Sequence, residues 1–337
     1  MEYNNILIIK MSSLGDVLHT LPFVAVLRER FPRARLTWLV HPQFGAFVPD
    51  PPLVDEVIYF DKVKFNKMGL GEKWSYFREM RALLHSKKFD LVIDMQGLFK
   101  SAVLAAISGC NNRIGYCEMR EGSGFISKAI TGTHAKDHVI ERYLDVARYL
   151  GCTVDEIQFP MPDLQKEWQA VQKKTEAVNK PYVVLVPGAR WETKIWPAEN
   201  FAKLADRILR DGKQVVLAGG PEDISLGSRI ADMTPGVTDL TGKTGLRELG
   251  ALLQHCVAYI SVDTGPLFIA AAMKKPLVAL YGPTRSERTG PYGSKEATVL
   301  TAPVPCAGCL KKHCDDWKCM IAISPERVFD EYKKKVK

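Results

Sequence analysis

The sequence predicts an α/β protein of two successive domains, each an open parallel sheet flanked by helices. Three observations predict it. Short, near-continuous apolar runs alternate with longer helical stretches, the pattern of strands buried on both faces. The alternation occurs twice, over residues 5–107 and again over 182–281, on either side of a polar stretch at 164–178. Turn chemistry (Ser-Ser-Leu-Gly-Asp, Gly-Gly-Pro-Glu-Asp, Asp-Thr-Gly-Pro) falls where strands hand over to loops and helices.

Taken in order, residues 5–10 contain Ile6, Leu7, Ile8 and Ile9 and read as a buried strand. The turn 11–16 leads into an amphipathic helix expected over 17–31. Strands follow at 35–40 and 57–60, a helix at 74–84, a strand at 90–94 closing on Met95-Gln96-Gly97, and an apolar helix at 100–107. From 109 to 136 the pattern breaks into Gly, Ser, Arg and Asn-rich sequence, long enough for a functional loop. A helix resumes at 138–150, and the polar helix at 164–178 marks the crossing between domains. The second series has strands at 182–186, 214–218, 257–262 and 277–281, a loop at 188–196, a helix opened by Pro197 and another at 246–253. The domain reading is therefore 1–165, a linker at 166–180, 181–325, and a C-terminal helix or tail at 326–337. No internal repeat is evident. Ligands in such sheets lie beyond the carboxyl ends of the strands, where Asp16 and Asp263 both fall.

With 337 residues, 46% apolar and 25% charged, the chain has the composition of a soluble globular protein large enough for two cores. No run of about 18 apolar residues predicts a membrane-spanning helix, and the N-terminus lacks the pattern of a secretory signal. A cytoplasmic location follows as the expectation. The net charge of +8 favours polyanionic partners; with no zinc-finger, homeodomain or RNP-type motif, nucleic acid is not expected. Of eight cysteines, Cys306, Cys309, Cys314 and Cys319 form C-x2-C-x4-C-x4-C, a spacing that offers a structural site for Zn or Fe, or four free thiols.

The most informative turn is Asp263-Thr264-Gly265-Pro266. An apolar strand ends there and Pro266 opens an alanine-rich helix, the favoured position for proline. Free amides at a helix start seat phosphate, and an acid beside them suits sugar hydroxyls rather than phosphate. The turn points to a nucleotide-sugar donor. A dinucleotide dehydrogenase is a poor reading, since no G-x-G-x-x-G follows the first strand.

Five segments in order carry a family resemblance: 10–22 (KMSSLGDVLHTLP), 94–101 (DMQGLFKS), 194–197 (KIWP), 263–266 (DTGP) and 281–284 (YGPT). The chain resembles the ADP-heptose:lipopolysaccharide heptosyltransferases of glycosyltransferase family 9, and is most similar to heptosyltransferase I. The resemblance implies a GT-B architecture, two Rossmann-like doubly wound domains facing a cleft, with acceptor on the N-terminal side and donor on the C-terminal side. It implies inverting transfer of heptose from ADP-heptose to the Kdo region of the lipopolysaccharide inner core (Kdo2-lipid A) at the cytoplasmic face of the inner membrane, with no cofactor required for catalysis.

Under that resemblance Asp16 is the general base, a role worth ~10²–10⁴-fold; the alternative is a helix-capping Asp. Lys194 stabilises departing ADP together with the helix dipole and the amides of Thr264 and Gly265. Arg190 in the same loop reaches phosphate, Glu222 (or Asp223) accepts from ribose hydroxyls, and Asp263 binds sugar. Lys64, Lys100, Arg113 and Arg120 are the acceptor-binding candidates, Arg suiting bidentate contacts to carboxylate or phosphate. The 111–127 segment is expected to be mobile and to close over the acceptor. Phe268 stands where many family members carry His, and Phe cannot donate a hydrogen bond. The competing readings are a heptosyltransferase for a later inner-core position or for another glycan or protein acceptor, and a non-catalytic nucleotide-sugar or lipid A binding module.

Overall fold

Ile6, Leu7, Ile8 and Ile9 expose no surface, so β1 (Asn5–Ile9) must be covered on both faces and paired on both edges. In the computed structural model, which describes residues 2–336, it is. β1 pairs with β2 (Arg35–Val40) on one side and β4 (Leu91–Asp94) on the other. β3 (Glu56–Tyr59) lies beyond β2, and β5 (Arg113–Tyr116) and β6 (Lys128–Ile130) beyond β4, giving the order β3-β2-β1-β4-β5-β6. The second sheet holds β7 (Tyr182–Val186), β8 (Gln214–Leu217), β9 (Thr238–Asp239), β10 (Ala258–Val262), β11 (Leu277–Tyr281) and β12 (Ala297–Thr301). Its order is β12-β11-β10-β7-β8-β9. Counted from its own first strand this is the order of the first sheet, although no sequence repeat announces it. Every pairing is parallel. Strand order reverses between β1 and β4 in one sheet and between β7 and β10 in the other. Loops leaving those carboxyl ends diverge, which opens a crevice for ligand.

The cores follow from periodicity. On one face of the first sheet, Leu7, Ile9, Leu39 and Val92 pack against Met80 and Leu84 of the helix Leu70–Ser86 and Leu104 and Ala105 of the helix Phe99–Ile107. In the second sheet, the helix Ala198–Arg210 sets Phe201, Leu204, Ala205 and Ile208 against Val183, Leu185, Val215 and Leu217. Each such side chain contributes ~1.5–3 kcal/mol on burial.

Contacts divide the chain between Pro162 and Asp163, and three segments differ from the sequence reading. The first helix spans Leu14–Arg30 rather than 17–31, because Asp16 accepts hydrogen bonds from Ser13 and so starts the helix three residues earlier. The expected linker at 166–180 is largely the helix Gln165–Lys174 of the second unit: Val171 is buried, Trp168 stacks on His255 at 4.0 Å, and Glu167 pairs with Arg247 at 2.6 Å. The 326–337 segment, expected as a helix or tail, is the helix Pro325–Lys335, anchored by buried Val328 and Tyr332 and by Lys333 to Asp211 at 2.6 Å. Met1 and Lys337, the outer ends of the expected first domain and tail, lie outside the described residues. The 109–136 stretch holds β5 and β6, so it is less a loop than two short strands with turns between.

Candidate active site

Asp16 sits in the first turn of the helix that follows β1, at the point where the first sheet reverses. Its carboxylate accepts from the Ser13 amide (2.8 Å) and hydroxyl (2.9 Å), and its other oxygen lies 4.0 Å from Lys10 Nζ. The side chain is 38% exposed. Burial alone would raise its carboxyl, but the Lys10 charge and then the Ser13 hydrogen bonds outweigh burial and hold it below its ordinary value. Gly15 is helical rather than at a left-handed turn, so the tight turn expected of it is made by the cap instead.

Lys10 is the residue that sequence reasoning missed. It is buried, and its ammonium donates to the Met95 carbonyl (2.8 Å) and the Tyr143 hydroxyl (2.7 Å) while lying over the Tyr143 ring. Burial lowers its pKa against the opposing pull of Asp16 and Asp94. Only its position at the end of an apolar strand hinted at this, because Tyr143 comes from a helix 133 residues away. His19, one turn after Asp16, is kept neutral: burial, then neighbouring His138, pushes it down to about 3.

The 94–101 segment braces this turn. Gln96 Oε1 accepts from the amides of Met11 and Ser12, both at 3.0 Å, tying the loop after β4 to the loop after β1. Buried Asp94 accepts from the Gln96 and Gly97 amides and from the Ser101 hydroxyl, and burial raises its pKa. Gly97 has φ +65, and a Cβ there would meet the Glu118 carbonyl at 2.6 Å, so only glycine fits.

Of the acceptor candidates, Lys64 lies on the helix Lys62–Lys67 after β3, Lys100 on the first turn of the helix after β4, and Arg120 after β5. All three are exposed at the carboxyl edge of the sheet, the edge that carries Asp16. Arg120 donates its amide to Gly97 O at 2.8 Å, and its charge acts on Lys10. Arg113 is a correction. It begins β5, at the opposite edge, and its guanidinium donates to the Ile126 and Cys110 carbonyls.

In the second unit Asp263 directly follows β10, only 7% exposed, and one of its oxygens accepts from both Lys194 Nζ and Thr284 Oγ1 at 2.7 Å. Lys194 ends the short turn Glu192–Lys194 in the loop after β7 and lies over the Trp191 ring at 4.6 Å. The pair therefore spans the reversal between β7 and β10. Asp263, expected on sugar hydroxyls, here orients Lys194. Thr264 caps the helix Gly265–Ala272, whose first amides have no intrahelical acceptor, and Phe268 stands half-buried on its first turn. Arg190 is exposed on the Lys194 loop, and Glu222 is exposed after β8. Asp223 instead turns inward, accepting from Gly220 N at 2.9 Å against Gly188 and Gly219.

The four-cysteine segment frames this second site without forming a ligand set. Among the described residues no three His, Cys, Asp or Glu side chains are placed to hold a metal ion. Cys309 and Cys314 are exposed and Cys319 is buried beside Gly282, so the structural Zn or Fe site expected at Cys306, Cys309, Cys314 and Cys319 is not assembled. What the segment does is clamp. Gly308 and Leu310 donate their amides to the carbonyls of Gly282 and Pro283, Thr193 Oγ1 donates to Lys311 O, and Trp317 Nε1 donates to Thr193 O. Two of the three loops that carry the Lys194–Asp263–Thr284 contacts, those after β7 and β11, are held from this side.

Each unit offers its own chemistry: in the first, a carboxylate held below its ordinary pKa can accept a proton, and in the second, an oriented ammonium beside a helix start can stabilise an anion. Comparison with known proteins identifies the family. The family model described as glycosyltransferase family 9 (heptosyltransferase) matches residues 77–319. Lipopolysaccharide heptosyltransferase 1 of Pseudomonas aeruginosa is 31% identical over 321 residues, 92% of this chain and 87% of that protein. Lipopolysaccharide heptosyltransferase 3 of Escherichia coli K12 is 30% identical over 282 residues, 80% of each. The solved structure of E. coli heptosyltransferase WaaC with ADP-2-deoxy-2-fluoro heptose is 25% identical, covers 98% of this chain and 99% of that one, and superposes with a TM-score of 0.76. Two six-stranded parallel sheets of like order are thus the halves of a GT-B fold, and the chain belongs to glycosyltransferase family 9, the heptosyltransferases.

Proposed function

We propose that this chain transfers L-glycero-D-manno-heptose from ADP-heptose to the Kdo region of the lipopolysaccharide inner core, Kdo2-lipid A, with inversion at the anomeric carbon. The observation that carries the reading is the Asp16 carboxylate, solvent-reachable yet held ionised by the buried Lys10 ammonium. In the proposed step Asp16 takes the proton of an acceptor hydroxyl as its oxygen bonds to the anomeric carbon and the bond to the ADP phosphate oxygen breaks. The charge developing on ADP is met by Lys194 and by the amides of Thr264 and Gly265. Arg190 and Glu222 serve the rest of the donor, and Lys64, Lys100 and Arg120 the anionic acceptor. Nothing in this sequence of bonds calls for a cofactor.

The relatives' names and the ADP-sugar in the WaaC structure support the donor and the lipopolysaccharide acceptor. Relatives named heptosyltransferase 1 and 3 match almost equally well, so the acceptor position is settled by assay, with deacylated Kdo2-lipid A compared against a heptosylated core. Among the described residues no helix is long and apolar enough to cross a membrane, and we place the enzyme in the cytoplasm, peripheral to the inner membrane. The deciding experiment is Asp16→Asn. Turnover falls by ~10²–10⁴-fold while ADP affinity stays near wild type; activity that survives the substitution removes Asp16 as the base.

A further inference from the structure

The helices Lys62–Lys67 and Leu70–Ser86 follow β3 at the carboxyl edge of the first sheet, the edge that carries Asp16. The inward side of the longer helix is accounted for: Met80 and Leu84 enter the core and Tyr76 packs against it. A second apolar stripe does not enter the core. Leu70, Trp74 and Phe77 recur at i, i+4 and i+7 and so share one face. Leu70 is 88% and Trp74 64% exposed, with Trp74 stacked on half-buried Phe77 at 6.3 Å. Val63, on the shorter helix, is exposed as well.

Charge surrounds this stripe. Residues 62–81 carry six Lys or Arg against two Glu. Both acids are engaged locally, Glu72 by the Gly69 amide at 2.8 Å and Glu79 by the Ser75 hydroxyl at 3.0 Å. Lys62, Lys64, Lys67, Arg78 and Arg81 are exposed. A tryptophan–leucine stripe set among lysines has the composition of an interfacial helix: the rings and Leu sit at the headgroup–acyl boundary and the cations remain among lipid phosphates. A second copy of the chain fits less well, because a two-fold contact would set this basic segment against itself.

We propose that the face formed by Val63, Leu70, Trp74 and Phe77 with its surrounding Lys and Arg is a docking surface for an anionic phospholipid bilayer. The inference rests on the glycolipid acceptor proposed above, which resides in a membrane, and it sets the Asp16 edge of the sheet next to the headgroups. One such segment gives reversible, salt-sensitive attachment.

The test sediments the full-length protein with vesicles of phosphatidylglycerol and phosphatidylethanolamine, or of phosphatidylcholine alone, neither containing glycolipid. Wild type pellets with the anionic vesicles and not with phosphatidylcholine, and added salt releases it. The double variant Leu70→Ser/Trp74→Ser and the single variant Lys67→Glu each lose at least ~tenfold in partitioning, while circular dichroism and turnover of a deacylated, soluble acceptor stay at wild-type levels. Trp74→Phe retains binding. Equal pelleting with both vesicle types, or undiminished binding by the double variant, overturns the proposal. So does a wild-type dimer that the double variant abolishes, which would assign the face to a second copy. Because these vesicles hold no acceptor, failure here leaves the transfer reading standing, and failure of the transfer assay leaves the vesicle result standing.

Discussion

The two sheets share one strand order, and each sets a lysine–aspartate pair at its point of reversal, but the two pairs are inverted in burial. In the first unit Lys10 is buried and Asp16 meets solvent; in the second Asp263 is buried and Lys194 is the more open partner. The difference teaches that topology fixes where the chemistry sits, while burial decides what it is. In the first pair the buried ammonium lowers the pKa of the more open carboxylate, and in the second the buried carboxylate accepts from and orients the more open ammonium, so one reversal presents an anion and the other a cation. The bracing differs accordingly. Lys194–Asp263 spans the reversal directly, whereas Asp16 and Lys10 both leave from β1 and are held from β4 by Gln96 and the Met95 carbonyl.

This comparison is broken most severely, after Asp16 itself, at Lys194. Lys194→Met removes the cation that the second site presents, and kcat falls ~10²–10³-fold with weaker ADP binding by calorimetry; an unchanged kcat would place the charge elsewhere. Next comes the brace. Gln96→Leu keeps the volume but strips the acceptor from two amides, so thermal or urea unfolding should register a loss of about 1–3 kcal/mol. Steady-state kinetics should show kcat falling alongside, since the same loop carries Ser13 and Asp16. The smallest effect sharpens the second site. A Cβ on Gly188 would lie 1.9 Å from an Asp223 oxygen, so Gly188→Ala displaces that carboxylate. Initial-rate measurements should show the donor KM rising by roughly fivefold, about 1 kcal/mol, with the acceptor KM unmoved.

Much of this was legible in the sequence because central parallel strands are apolar from end to end. β1, β7, β10 and β11 all read directly from runs such as Ile6–Ile9. The edges were not. β5 begins with Arg113, β6 with Lys128, and β9 has two residues, so none carries a buried run long enough to separate it from loop. The site divided the same way. Asp263 stands in a turn whose residue types drew attention to it, whereas Asp16 and Lys194 were singled out through the family resemblance. Lys10 and Thr284 acquire their roles only through partners distant in sequence, Tyr143 and Asp263. Arg113 looked like an acceptor ligand because its strand, and hence the edge it occupies, could not be placed.

The measurement that bears most directly on the central claim is the pH dependence of kcat/KM in Lys10→Met beside wild type. With Lys10 present, its charge and the Ser13 hydrogen bonds outweigh burial and keep Asp16 ionised below its ordinary range; without Lys10, burial acts with less opposition and the carboxyl rises. The account predicts that the acid limb of the variant's profile moves to higher pH, with activity partly recovered as pH increases. An acid limb that stays where the wild type has it would mean that the buried ammonium does not set the charge of Asp16.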